Sequence, residues 1–92
     1  MKTFKDLVFK PHSMGNGVQA VMMFDNNRGV SVVKFDGSYG YKQDQWELAV
    51  LNNKEGLDYE TSITDDVIGW LTDKKVSNIM IQVQNLTPLD KV

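Results

Sequence analysis

One stripe of apolar residues near the end of the chain constrains the fold most: Val76, Ile79, Met80, Val83 and Leu86. The spacing i, i+3, i+4, i+7, i+10 marks one face of a helix. Thr72 stands where it caps that helix, and Pro88 limits its continuation. A helix with a single apolar face needs a second layer to bury it. Directly upstream lies what reads as another helix start, Thr61-Ser62-Ile63-Thr64-Asp65-Asp66-Val67-Ile68-Gly69-Trp70-Leu71. Ser62 or Thr64 is its expected cap, Ser62 having Asp65 three residues on. Asp65 and Asp66 fall where the helix dipole favours negative charge. Gly69 weakens a helix interior by about 1 kcal/mol relative to Ala, so this first helix is expected to be short.

Everything before residue 61 reads as β. Residues 7–12 form a candidate first strand, with Pro11 confined to an edge or a strand end because it lacks an N–H. Met14-Gly15-Asn16-Gly17 is a hairpin signal, since Asn and Gly tolerate positive φ. Residues 18–24 alternate, with Val18, Ala20, Met22 and Phe24 on one face and Gln19, Val21 and Met23 on the other. The second face is apolar too, which predicts a strand covered on both sides, by the first segment and the long loop or by a second subunit. Asp25-Asn26-Asn27-Arg28-Gly29 is a turn by composition, and residues 30–35 are rich in β-branched side chains. Residues 36–45 are the one long loop. Residues 46–51 resume the alternation, with Trp46, Leu48 and Val50 on one face. Residues 52–56 suit a hairpin and residues 57–60 a short last strand. Each link is too short for a helical crossover, which predicts an antiparallel meander. The expectation is therefore one α+β domain over residues 1–92: a four- or five-stranded antiparallel sheet, then a short and a longer helix packed on one face.

Composition excludes several classes. The 92 residues suit one small domain, 41% hydrophobic and 24% charged. The absence of cysteine rules out disulfides and thiolate metal sites. No apolar run reaches the roughly 20 residues of a membrane span, and the first residues lack the apolar core of a signal peptide. A net charge of −2 argues against a dedicated nucleic-acid binder, and is too mild for a nucleic-acid mimic acting by charge alone.

No motif specifies catalysis. His12 is the only histidine; beside Pro11 and before a turn it reads as a solvated loop residue rather than a general base. Asp65-Asp66 offers oxygen ligands for a hard cation, yet a helix start explains the pair without one. Asp36-Gly37-Ser38-Tyr39-Gly40 is glycine-rich, but no helix follows it to cradle a phosphate. No cofactor and no metal are expected. The loop aromatics are the candidates for binding. Ser38, Tyr39, Tyr41, Lys42 and Asp44 make up the candidate contact set: the tyrosines supply area, Lys42 and Asp44 electrostatic register. Trp46, at the loop's exit, reads as core.

Several blocks of the chain together resemble a family of small uncharacterised proteins encoded in phage and prophage genomes. These are Phe4-Lys5-Asp6-Leu7, Phe9-Lys10-Pro11-His12, Gly17-Val18-Gln19-Ala20, Gly29-Val30-Ser31-Val32-Val33, Ser38-Tyr39-Gly40, Glu47-Leu48-Ala49-Val50 and the stretch from Ile63 to Thr72. The resemblance is by overall pattern across most of the chain and carries no site residues. It implies a phage origin and action in the host cytoplasm. By class, it implies a non-enzymatic protein that binds and inhibits a host protein or complex, such as a defence system of the CRISPR–Cas kind. Two rivals stand beside it. One is a small-ligand or nucleotide-sequestering protein using residues 37–42 and Arg28 in a dimer. The other is a structural or replication-accessory phage protein. A homodimer is expected as a possible assembly; direct nucleic-acid and membrane contacts are not expected.

Overall fold

Alternation and turn chemistry build a meander. The structure, a computed structural model, describes residues 1–12, 16–52 and 63–88, and of residues 63–66 the backbone only. Five strands pair antiparallel in sequence order: β1 (Lys10–Pro11), β2 (Val18–Met23), β3 (Arg28–Lys34), β4 (Trp46–Asn52) and β5 (Ile63–Leu71). One helix, α1 (Asp73–Gln84), follows. Val32 sits between Ala20 of β2 and Leu48 of β4, and Val30 sits between Met22 and Val50. This register puts the expected apolar face on the core side. Ala20, Val30, Val32 and Leu48 are buried there beneath Val76, Met80 and Val83 of α1. Thr72 caps α1 as expected, its hydroxyl accepting from the Lys75 N–H at 3.3 Å.

The stretch read as a short first helix is a strand. Residues 63–71 form β5, with Ala49 opposite Val67, Leu48 opposite Ile68 and Trp46 opposite Leu71. Local cap chemistry at Thr64-Asp65-Asp66 suits a helix start, but Val67, Ile68 and Trp70 are β-formers and Gly69 disfavours a helix. Pairing along β4 then decides the outcome, as tertiary context overrides a weak local preference. The register slips twice along β4, between Trp46 and Leu48 and between Ala49 and Leu51. The short helices in the described residues are two 3₁₀ turns, Phe4–Asp6 and Tyr41–Gln43.

Two further expectations change. The first strand shrinks to Lys10–Pro11, because residues 4–9 turn onto the helix side of the sheet. There the Phe4, Phe9 and Trp46 rings cluster, with centroids 4.6–5.7 Å apart. The first segment thus adds to the helix layer and does not cover the opposite face of β2. Ile79, expected in the core with its stripe neighbours, is half-buried at the side of α1. The hairpin at residues 14–17, the hairpin at 52–56 and the strand at 57–60 fall partly or wholly outside the described residues, as does the Ser62 cap.

Candidate functional site

The long loop folds back onto β5, and this contact places its aromatics. Ser38 is buried and starts the turn: its hydroxyl donates to the Phe35 carbonyl at 2.8 Å and accepts from the Phe35 N–H at 3.1 Å. Of the five candidates it is the buried one, and its hydrogen bonds shape the loop. Gly40, at φ +96°, turns the chain into the 3₁₀ turn Tyr41–Gln43, and Asp44 closes it in the left-handed region at φ +57°. Asp tolerates that region better than most side chains.

Tyr39 lands on β5. A Cβ added to Gly69 would stand 2.3 Å from the Tyr39 Cβ, so only glycine admits this approach. The Tyr39 ring stacks on Trp70, centroids 5.3 Å apart and planes 18° apart. The Tyr39 N–H donates to the Glu47 carboxylate at 3.0 Å, and the Trp70 N–H reaches the Tyr39 carbonyl at 3.4 Å. Trp46 and Leu48 point into the core, so Glu47 between them belongs to the face away from α1. The stack therefore stands on the face of the sheet away from α1. Tyr39 and Trp70 remain 56% and 54% exposed despite their contact. Trp70 has φ +56°, a conformation rare for a bulky side chain.

The other candidates disperse around this pair. Tyr41 is exposed on the 3₁₀ turn, and Lys42 projects beside it. Asp44 bonds the Lys34 ammonium at 2.9 Å, and that ammonium lies 4.0 Å from the centre of the Trp46 ring. Asp44 is solvated, so this ion pair adds little stability, on the order of 0–1 kcal/mol. Trp46 is core: its ring lies among Phe4 and Phe9, and its indole N–H donates to Asp73 at 2.8 Å. The structure thus brings Tyr39 together with a residue the sequence reading left out, Trp70. A signal for it exists, since a lone glycine within a strand marks a close backbone approach. Gly69 carries that signal only once residues 63–71 are read as a strand.

Arg28 does not belong to this neighbourhood. It opens β3 while the loop follows the end of β3, a separation of roughly 20 Å at strand rise. Its guanidinium donates to the Thr87 carbonyl at 2.9 Å and to Asn52 at 3.1 Å. His12 stacks on Phe35, with centroids 4.2 Å apart. Among the described residues no group of three or more His, Cys, Asp or Glu could hold a metal ion. Among them, too, no helix is long and apolar enough to cross a membrane. No protein-family model, curated protein or solved structure matches the chain.

Proposed function

We propose that the protein is a non-enzymatic protein-binding module whose contact surface is centred on the Tyr39–Trp70 stack. The observation that carries this reading is two large aromatic rings held outward by specific backbone arrangements. Gly69 admits Tyr39, and Trp70 adopts a left-handed backbone that costs about 1–2 kcal/mol for an ordinary residue. A cost of this kind at an exposed aromatic supports a binding role, and it falls in the bulge that sets buried Leu71 opposite Trp46. Paired aromatics with few rotors are the usual anchors of protein interfaces. Tyr41 and Lys42 flank the pair and extend the surface, while Asp44 is held by Lys34 beside Trp46. The resemblance to phage-encoded proteins supports a host protein as the partner, and a defence complex such as a CRISPR–Cas effector as the kind of target. It supports the host cytoplasm as the place of action.

The sequestration rival draws less support. Arg28 is engaged with Thr87 and Asn52 at the far end of β3 from the loop. The test is affinity purification of the tagged protein from phage-infected host cells, beside a Tyr39→Ala/Trp70→Gly variant of matched thermal stability. The expected result is one host protein at stoichiometric yield with the wild type and its loss with the variant. Recovery of phage proteins alone, or of a small molecule, would overturn the reading. Full capture by the folded variant would move the interface off the stack.

A further inference from the structure

We infer that the Tyr39–Trp70 stack and the Glu47 carboxylate form one seat for an arginine side chain on the surface of the partner protein. The inference rests on the stack as the contact surface and adds the chemistry of what sits on it. Tyr39 joins the two parts. Its ring is half of the stack, and its N–H donates to the Glu47 carboxylate at 3.0 Å. Glu47 lies on β4 between buried Trp46 and Leu48, opposite the slip of β5 that contains Gly69 and Trp70. Carboxylate and rings therefore share the face of the sheet away from α1. A carboxylate has about four acceptor positions, and the Tyr39 N–H takes one. Across the sheet the neighbour of Glu47 is Val33 of β3, and two residues either way along the chain stand Gln45 and Ala49. Among the described residues Glu47 forms no ion pair; Lys42, on the adjoining 3₁₀ turn, is exposed and does not pair with it.

The helix side of the sheet shows how this chain fills such a seat with its own residues. There the Lys34 ammonium lies 4.0 Å from the centre of the Trp46 ring and 2.9 Å from the Asp44 carboxylate, so one cation serves both. Tyr39, Trp70 and Glu47 repeat the rings and the carboxylate. Both rings are more than half exposed, and no cation among the described residues pairs with the carboxylate. Charge complementarity then selects the occupant, since a cation gains from the ring faces and from the carboxylate together. Guanidinium fits better than ammonium: its plane lies flat on an aromatic ring while its N–H fork meets a carboxylate. A nucleic acid would stack on the rings but bring its phosphates toward Glu47, in a chain of net charge −2. A sugar would use the rings without needing the charge of Glu47.

The experiment is an NMR titration of the isotope-labelled protein with the peptide acetyl-Gly-Arg-Gly-amide. The expected result is saturable shifts of the Tyr39, Glu47 and Gly69 amides and the Trp70 indole, with a dissociation constant on the order of 1–10 mM that rises with salt. The same peptide with neutral citrulline in place of arginine should bind at least about fivefold more weakly. So should the arginine peptide on Glu47→Gln, whose amide oxygen still accepts from the Tyr39 N–H and keeps the loop in place. The absence of saturable shifts up to about 50 mM overturns the inference. Equal binding of the citrulline peptide, indifference to Glu47→Gln, or tighter binding of a mononucleotide or of maltotriose overturns it too. Capture from infected cells separates the seat from the broader reading. A host protein kept by Glu47→Gln but lost with Tyr39→Ala/Trp70→Gly removes the arginine seat and leaves the stack as the interface. One kept by both variants overturns the two together.

Discussion

Two residues in this chain hold unusual positions, and they separate binding from stability. Trp70 carries its side chain at φ +56° while stacking on Tyr39. Trp70→Gly removes the left-handed cost of about 1 kcal/mol but also a stack of about 0.5–1.5 kcal/mol, so the two changes nearly cancel. Trp70→Ala loses the stack and keeps the cost. Thermal denaturation should therefore rank Trp70→Gly above Trp70→Ala by about 1 kcal/mol, the reverse of the order in an ordinary strand. Asn26 is the opposite kind of residue. It is buried in the β2–β3 turn, and its amide donates to the carbonyls of Val83 at 2.8 Å, Leu86 at 3.3 Å and Gln84 at 3.4 Å. Its own carbonyl accepts from the Arg28 N–H at 3.2 Å. This side chain thus helps to satisfy the end of α1, together with the Asn85 and Leu86 N–H groups, which bond the carbonyls of Ile81, Gln82 and Val83. Asn26→Ala should cost about 1–3 kcal/mol in urea unfolding. Asn26→Asp should cost at least as much, since a carboxylate cannot donate and is repelled by the helix C-terminus. Equal stability of wild type and Asn26→Asp would remove the amide from this role. Nothing in the local sequence announces it, because Asp25-Asn26-Asn27 reads as turn composition alone.

The elements differ in how far they were legible. α1 was readable because its cap, its apolar stripe and its stop are all local. β2, β3 and β4 were readable for a similar reason, since alternation and the Asn/Gly turn between β2 and β3 act within a few residues. β5 was not, because the Thr64-Asp65-Asp66 pattern serves a helix start as well as a strand. What decides is the long-range match of Val67 and Ile68 to Ala49 and Leu48. The site was half legible for the same reason: Tyr39 and Tyr41 stand out as loop aromatics, while Trp70 becomes visible only with β5 in place. Within α1 the stripe itself is unequal. Met80 is fully buried, whereas Ile79 turns toward a groove between α1 and β5. Met80→Ala should then destabilise by about 2–5 kcal/mol and Ile79→Ala by about 1 kcal/mol. Equal losses in a paired urea titration would place Ile79 in the core after all and close the groove.

At the scale of the molecule, a small sheet with one helix leaves part of its helix-side face to be covered by something else, and the first residues do this. Phe4, Leu7 and Phe9 pack on the core beside α1, with Phe9 stacked 4.6 Å from Trp46. Backbone contacts hold the segment there. The Phe4 N–H donates to the Ser77 hydroxyl at 3.0 Å, and the Lys2 N–H and carbonyl both bond the Gln84 amide, at 2.9 and 2.8 Å. Each fully buried side chain of this size contributes about 1.5–3 kcal/mol, so buried Leu7 and the partly buried Phe4 and Phe9 together contribute several. A small domain has only about 5–15 kcal/mol of net stability in total. Deleting residues 1–9 should therefore abolish cooperative thermal unfolding and shift tryptophan emission to the red as Trp46 meets water. Phe4→Ala/Phe9→Ala gives a milder version that keeps the backbone bonds: a lower melting temperature with the transition still cooperative. A truncated chain that melted at the wild-type temperature would show that the sheet and α1 close their core without the first segment.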